Sequence, residues 1–222
     1  MRYNFSDLRQ RMVDSQIRTV DVADEKLLES FLKVPREKFV CDSYRGLSYS
    51  DQELPLDLEG SRGRYMLSPA SLAKLLQLGH IQETDVCLII GGGLGYSAAI
   101  LSSLASSVLL LEEDSSMVEE ATKILSENAY DNVAVVEGPL SLGYPSEAPY
   151  DVIFIEGRVE VVSDDLLQQL RDGGRLICIE GTEGLGYATL YKKEEGFVSQ
   201  QQKMHLAAKF MPHFERKKTF SF

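Results

Sequence analysis

The sequence predicts an α/β fold, a doubly wound and mostly parallel sheet that ends in an antiparallel hairpin and carries an N-terminal helical extension. The sheet is predicted because, from residue 85 onward, continuous apolar runs alternate with amphipathic helical stretches. The hairpin is predicted because the helical stretches stop near residue 180 and strand-like segments follow. We therefore expect an extension, 1–84, packed on a core, 85–222, in one unit.

The extension is predicted to hold three helices and one long loop. Apolar residues at helical spacing over 1–35 predict two helices, of which Asp24 caps the second and Pro35 ends it. Residues 40–66 are polar with several glycines, which predicts a long loop or an irregular hairpin. A serine N-cap, a proline in the first turn and a glycine stop predict a third helix over 68–79.

The core is predicted to contain five parallel strands separated by helices. The predicted strands are 86–90, 108–111, 133–136, 152–155 and 176–179. The predicted helices are about 95–105, 115–128 and 163–171, and the terminal strands are 187–192, 203–210 and 214–222. A parallel sheet that finishes with an antiparallel hairpin is the shape expected of a Rossmann-like class I methyltransferase.

Charge and composition exclude several kinds of partner. The chain has 23 Lys+Arg against 34 Asp+Glu, a net charge of −11, which argues against nucleic acid and against an anionic membrane surface. We find no 18-residue apolar stretch and no signal-peptide core, so we expect no membrane span. Nothing demands an oligomer, and a monomer is expected.

Cysteine and histidine usage points to a reducing compartment without a metal. The three cysteines are far apart in sequence, and two lie inside apolar runs, so we interpret them as reduced packing residues of a cytoplasmic protein. None of the Cys and His spacings matches a zinc site, and no metal is predicted.

A glycine-rich loop follows the first core strand and opens a helix. Such a loop lets a ligand approach the backbone closely, beside the unpaired N–H groups of the helix N-terminus. We take its glycines and the next residue as candidate cofactor-binding residues: Gly91, Gly92, Gly93, Gly95 and Tyr96. For Tyr96, a role in packing the helix remains an equal alternative.

Two registers of this loop compete. The dinucleotide pattern G-x-G-x-x-G/A fits only if it starts at Gly93 and ends at Ala98, two residues later than the strand end requires. The methyltransferase pattern G-x-G-x-G fits directly after the strand, starting at Gly91. The loop therefore favours a methyltransferase over a nicotinamide-dependent oxidoreductase.

Three glutamates at strand ends are further candidates. Glu112 ends the second strand about 20 residues on, where a carboxylate can accept hydrogen bonds from both ribose hydroxyls. Glu156 and Glu180 each precede a glycine after the fourth and fifth strands, at the sheet edge over which ligands lie. Solvated surface charges are the alternative for all three.

Short sequence motifs distributed along almost the whole chain match those of one known family. They are residues 12–17, 34–40, 54–56, 66–69, 91–99, 148–153, 173–176 and 210–212. With these segments the chain resembles the protein-L-isoaspartate O-methyltransferase family, most specifically in V-P-R-E-x-F-V and A-P-Y-D-x-I. The resemblance implies S-adenosylmethionine as methyl donor and the carboxylate of an isoaspartyl residue in damaged protein as acceptor.

The sequence departs from the family pattern at three places. Ile89 stands where the family has an acid that reaches the amino group of the cofactor, and we propose that Glu156 or Glu180 partly replaces it. Gly138-Pro139 stands where the family has Gly-Asp near the adenine. In the acceptor segment the family's serine and histidine positions hold Leu67 and Ala70.

Ser68 is the candidate catalytic residue, through a one-residue shift in the acceptor segment, while a helix N-cap is its simpler role. The function expected from the resemblance is protein carboxyl O-methylation of the isoaspartate-repair type. Two alternatives stay open, a non-catalytic member that binds cofactor or a partner, and a methyltransferase with a changed acceptor.

Overall fold

The structure is a computed structural model that describes residues 4–56, 63–182 and 186–216. Its α-helices are α1 (Phe5–Met12), α2 (Glu25–Lys33), α3 (Pro69–Leu78), α4 (Tyr96–Ser102), α5 (Ser115–Glu127) and α6 (Asp164–Gln168). The first helix continues as a π turn, Val13–Ile17, and a 3-10 turn, Arg18–Val20. The predicted N-caps are confirmed: Asp24 accepts a hydrogen bond from Leu27 N at 3.1 Å, and Ser68 caps α3.

A seven-stranded sheet forms the centre of the fold. Its strands are β3 (Val86–Ile90), β4 (Ser107–Glu112), β5 (Val133–Glu137), β6 (Tyr150–Val159), β7 (Leu170–Glu180), β8 (Tyr187–Glu194) and β9 (Phe197–His205), in the order β5-β4-β3-β6-β7-β8-β9. The first five strands of this sheet pair in parallel, and β7 to β9 pair antiparallel. The five predicted parallel strands and the antiparallel ending are confirmed.

The loop predicted at 40–66 is an irregular hairpin over its described part. A 3-10 helix, Asp42–Leu47, leads into β1 (Leu54–Pro55), which pairs antiparallel with β2 (Tyr65–Met66). This small ladder brings the residues that flank it against the carboxyl edge of the large sheet, where Leu56 and Arg64 are buried.

The sheet is covered unequally on its two faces. The buried residues of α1 to α5 join one apolar cluster with alternate sheet residues such as Ile89 and Phe154. The opposite residues, such as Ile90 and Ile155, pack with α6 and the C-terminal segment. The first cluster runs from Met12 to Leu190, so the predicted extension and core share one continuous interior.

The end of the hairpin differs from the prediction. The strand expected at 203–210 begins earlier, at Phe197, because Glu195 (φ 51°) and Gly196 (φ 80°) form a two-residue turn directly after β8. Its polar, exposed sequence lacks the apolar run that marks the other strands. The strand predicted at 214–222 is absent over 214–216, and its remainder lies outside the described residues.

Candidate active site

The carboxyl ends of β3 and β6 meet where the strand order changes direction. The chain leaves β3 towards β4 on one side, and later returns to place β6 on the other side of β3. In open α/β sheets the ligand lies in the crevice at such a switch point, outside the carboxyl ends of the strands. The glycine loop follows β3 and Glu156 lies near the end of β6, so both border this crevice.

The glycine loop adopts the backbone that the methyltransferase register needs. Gly91, Gly93 and Gly95 have φ of 75°, 59° and 95°, the region that side-chain-bearing residues rarely adopt, whereas Gly92 does not. Gly95 is the N-cap of α4. The three glycines in the G-x-G-x-G register are therefore those with a conformational requirement.

Two of these glycines face side chains that come from distant segments. A Cβ added at Gly91 would lie 2.6 Å from Met211 Cε and 2.9 Å from Arg64 Nη2. A Cβ added at Gly93 would collide with Leu56 Cδ1. By contrast, Gly92 and Gly95 face interior leucines, so the loop presents only its first and third glycines to the crevice.

Glu112 is fully buried at the end of β4, beside the loop. Its Oε1 accepts hydrogen bonds from Gly93 N at 2.8 Å and from Arg64 Nη2 at 2.6 Å. Its Oε2 accepts from Arg64 Nη1 at 2.9 Å and from Glu113 N at 3.3 Å. The predicted ribose-binding carboxylate is thus held by the loop backbone and faces a buried guanidinium.

Glu156 is buried on the other side of the loop, where its carboxylate accepts a hydrogen bond from the Ser97 hydroxyl in α4. Burial raises the pKa of this carboxyl to about 7, although the Ser97 hydrogen bond and the guanidinium groups of Arg36 and Arg64 oppose the rise. The alternative of a solvated surface charge does not apply to Glu156.

Glu180 lies at the end of β7, outside this group. It is half-buried and accepts hydrogen bonds from the Tyr191 hydroxyl at 2.7 Å and from Gln200 Nε2 at 2.6 Å. Both partners belong to the terminal hairpin, so the contacts of Glu180 are with β8 and β9 rather than with the glycine loop.

The ring of Tyr96 points into the interior. Its side chain is fully buried against Phe31 and Phe39, at centroid distances of 6.2 and 5.7 Å, and the guanidinium of Arg36 lies 4.7 Å from its centroid. Arg36 is itself fully buried and donates to the carbonyls of Ser48, at 2.8 Å, and Leu67, at 2.7 Å. The structure therefore places Tyr96 in helix packing, and its contact with a cofactor stays a prediction.

The remaining predicted residues lie at the same edge or beside it. Gly138 N donates to the carbonyl of Glu112 at 2.9 Å, and Pro139, which follows, is exposed. Ser68 is half-buried, where its hydroxyl accepts from Ser71 N at 3.4 Å and donates to Ser71 Oγ at 3.2 Å. The structure shows the capping role of Ser68 and leaves its catalytic role a prediction.

Sequence reasoning missed the residues that close the crevice. They are Leu56, Arg64 and Met211, all at most 5% exposed. Arg64 lies 48 residues before its partner Glu112, and no local pattern marks such a pair. A buried carboxylate such as Glu112 requires a cation or several hydrogen-bond donors nearby. The sequence does not show that Glu112 is buried, so this requirement is recognised only in the folded structure.

Within 4–56, 63–182 and 186–216, no helix has the length and apolar character needed to cross a membrane. Over the same residues, no group of three or more His, Cys, Asp or Glu side chains is arranged to hold a metal ion.

A mostly parallel seven-stranded sheet, a G-x-G-x-G loop after β3 and a buried acid at the end of β4 define a Rossmann-like class I methyltransferase. Residues 7–218 match the family model described as protein-L-isoaspartate(D-aspartate) O-methyltransferase. The chain therefore belongs to the protein-L-isoaspartate O-methyltransferase family.

Relatives and solved structures agree with this assignment. The chain is 33% identical over 188 residues to a protein-L-isoaspartate O-methyltransferase of Koribacter versatilis, covering 85% of this chain and 83% of the relative. It is 40% identical over 170 residues to one of Protochlamydia amoebophila, covering 77% and 79%.

A solved protein-L-isoaspartate O-methyltransferase is 27% identical with a TM-score of 0.81, and the match covers 91% of this chain and 65% of that one. A Plasmodium falciparum structure of the same description, in complex with S-adenosyl-L-homocysteine, has a TM-score of 0.76 at 15% identity and supports the fold alone.

Proposed function

We propose that this chain is an S-adenosylmethionine-dependent carboxyl O-methyltransferase that acts on L-isoaspartyl (D-aspartyl) residues of damaged protein. The observation that carries the proposal is the placement of Glu112, buried at the end of β4 with its Oε1 2.8 Å from Gly93 N. A carboxylate so placed accepts hydrogen bonds from the two ribose hydroxyls of a nucleoside ligand. Family membership supplies the acceptor.

The residues present fit this cofactor. Gly91 and Gly93 leave no side chain of their own between the loop backbone and the crevice. Glu112 would hold the ribose, and Gly138-Pro139, directly after the neighbouring strand β5, would border the adenine. The atoms that now lie against Gly91 and Gly93 are side-chain atoms of Leu56, Arg64 and Met211, and not atoms of the loop itself.

Glu156 is our candidate for the acid that is missing at position 89. Ile89 is the register partner of Phe154 across β3 and β6, and Glu156 follows Phe154 by two residues. A register shift between Phe154 and Arg158 interrupts the strand there, but the hydrogen bond from Ser97 places the Glu156 carboxylate beside α4, on the face of the sheet that Ile89 shares. The carboxylate therefore projects one step beyond Ile89 on the same side of the sheet, where it would pair with the amino group of the cofactor.

When bound, S-adenosylmethionine supplies an electrophilic methyl group: a carboxylate oxygen of the acceptor forms the new C–O bond as the C–S bond breaks and its electrons stay on sulfur. Because a carboxylate is already ionised at pH 7, the chain needs no general base. Its contribution is to hold the two reactants in line and exclude water. The absence of the family's histidine, with Ala70 at that position, therefore does not block the reaction.

The test is transfer of labelled methyl from S-adenosylmethionine to an isoaspartyl peptide, with the aspartyl peptide of the same sequence as control. We expect base-labile label in the isoaspartyl peptide alone. Glu112→Gln should abolish transfer, while the same change at the helix-end residue Glu127 should not. Cofactor binding without any transfer would instead favour the non-catalytic or changed-acceptor alternatives.

We further infer a monomer in the cytoplasm that does not bind nucleic acid. Cys87 and Cys178 are buried thiols that form no disulfide, which suits a reducing compartment. The net charge of −11 disfavours phosphate backbones. Light scattering at micromolar concentration tests the monomer, and a dimer mass would contradict it.

A further inference from the structure

Arg64 and Glu112 form a buried ion pair in the crevice. The side chains are 5% and 0% exposed, and both terminal nitrogens of the guanidinium donate to the carboxylate, at 2.6 and 2.9 Å. Nη2 also donates to the carbonyl of Gly91 at 2.8 Å. Such a bidentate arrangement is directional and strong, since both groups are charged and shielded from water.

The hydrogen-bonding capacity of Glu112 is fully used. A carboxylate offers about four lone-pair positions. Two are taken by the backbone N–H groups of Gly93 and Glu113. These donors are part of the main chain of the loop and of the strand end, so a side-chain rotation does not remove them. The other two are taken by Arg64. Two ribose hydroxyls can therefore bind Glu112 only in place of the two guanidinium nitrogens.

Arg64 also fills part of the space over the loop, next to Met211 and Leu56. Arg64 Nη2 and Met211 Cε stand against the open side of Gly91, at the distances that an added Cβ would meet. Met211 also covers Gly157, where an added Cβ would lie 2.8 Å from its Cε. Arg64 thus blocks the hydrogen bonds and, together with Met211, the close approach that a nucleoside needs at Gly91.

We propose that Arg64 is an affinity-determining residue of the cofactor site: its guanidinium occupies the ribose position on Glu112, and the cofactor binds only as Arg64 withdraws. This inference rests on the proposed function, because it takes Glu112 as the ribose-binding acid. The measured affinity is then the affinity of the open site multiplied by the fraction of molecules in which Arg64 has left.

The proposal predicts that a substitution inside the binding site increases the affinity for the cofactor. Arg64→Met keeps an unbranched apolar stem but removes the two donors that compete with ribose, so it should tighten cofactor binding. A residue that contacts the cofactor would give the opposite result. Arg64→Lys keeps a cation beside the buried carboxylate but cannot bind it bidentately, so its affinity should lie between.

Arg18 provides a matched control. Its terminal nitrogens also donate to both carboxylate oxygens of one glutamate, Glu25, at 3.2 and 3.4 Å. This pair lies on the surface, with the side chains 43% and 76% exposed. Arg18→Met therefore removes a similar ion pair without touching the crevice, and its cofactor affinity should equal that of the unchanged protein.

The experiment is calorimetric titration of the four full-length proteins with S-adenosylhomocysteine. We expect Arg64→Met to bind at least about tenfold more tightly, because the loss of one competing charge-assisted contact is worth roughly that factor and the variant loses two. In the absence of ligand it should melt at a lower temperature, because Glu112 loses its cation, and the ligand should raise its melting temperature by more. If Arg64→Met does not fold, the affinity of Arg64→Lys decides.

The outcomes separate this inference from the proposed function. Equal or weaker binding by Arg64→Met, with binding intact in the unchanged protein, overturns the role of Arg64 and leaves the proposed function standing. Binding that is found only after Arg64 is replaced supports both. An absence of binding in all four proteins overturns both, because Glu112 would then not be a ribose-binding residue.

Discussion

The buried carboxylate of Glu156 accepts a hydrogen bond from the hydroxyl of Ser97, 59 residues earlier in the chain, and so joins β6 to the first turn of α4. Burial is the largest influence on this carboxyl and raises its pKa to about 7. Glu156 therefore exchanges its proton near neutral pH, at the point where we propose that it meets the cationic part of the cofactor.

The raised pKa predicts a stability that falls as the pH rises. In the folded chain Glu156 binds its proton up to about pH 7, against an ordinary value of 4.5, so the folded state holds more protons between these values. Stability must then decrease across this window and stay lower above it, by on the order of 3 kcal/mol. Glu156→Gln should lack this loss, as urea unfolding at pH 5, 6, 7 and 8 would show.

Glu180→Gln is the control, because Glu180 ends the next strand and its hydrogen bonds go to the terminal hairpin. The loss of stability that Glu156 produces with rising pH should persist in this variant, because Glu156 is unchanged. If Glu156→Gln kept the same loss, the Glu156 carboxyl would not be titrating in the folded chain in this range.

A second prediction concerns the cofactor. If Glu156 pairs with the amino group of the methionine part, Glu156→Gln should weaken binding of S-adenosylhomocysteine by about tenfold at pH 8, where the carboxylate is ionised. The difference should shrink at pH 5.5, where the unchanged protein is itself protonated. Calorimetric titration at both pH values measures this.

Methylthioadenosine, which lacks the amino acid part, distinguishes a direct contact from a general disturbance. It should bind the unchanged protein and Glu156→Gln alike. A parallel loss for both ligands would mean that the substitution deforms the loop, and the replacement of the acid missing at Ile89 would have to be abandoned.

The sequence predicts most of the fold because local patterns determine it. The apolar runs 86–90 and 108–111 and the N-cap residues Asp24 and Ser68 are read correctly from short windows. The strand Phe197–His205 was misplaced because its exposed edge needs no apolar residues, so its position depends on the preceding turn.

The site is predicted only in part, for a related reason. The loop glycines and Glu112 follow strands at recognisable positions, so sequence spacing finds them. Arg64 and Met211 reach the crevice through a small ladder and a C-terminal segment, and both depend on contacts between distant parts of the chain. The burial of Glu156 likewise depends on a distant contact, because α4 covers its carboxyl and supplies the Ser97 hydroxyl.

Tyr96→Phe separates packing from cofactor contact. The hydroxyl of Tyr96 is buried, and its one polar neighbour among the described residues is the guanidinium of Arg36, to which it is poorly aligned, so removing it should change the stability by no more than about 1 kcal/mol. Cofactor affinity should not change, since the ring packs against Phe31 and Phe39. Chemical unfolding and calorimetry check the two parts.

Tyr130→Phe serves as the control, because Tyr130 packs on Phe39 in the same cluster but is only half-buried. Its hydroxyl can reach water, so its removal should have little effect on stability. A marked loss of affinity in Tyr96→Phe alone would show that the hydroxyl contacts the ligand, contrary to the packing seen.

The last prediction distinguishes the two roles of Ser68. As the N-cap of α3, its hydroxyl accepts from Ser71 N, so Ser68→Ala should cost about 1 kcal/mol of stability, whereas Ser68→Asp should retain the cap. Methyl transfer to an isoaspartyl peptide then separates the roles, because neither variant carries a hydroxyl. If Ser68 contacts the acceptor, kcat/KM should fall in both variants, including the stable Ser68→Asp. If it only caps the helix, Ser68→Asp should retain the kcat/KM of the unchanged protein, and the catalytic assignment of Ser68 would be wrong.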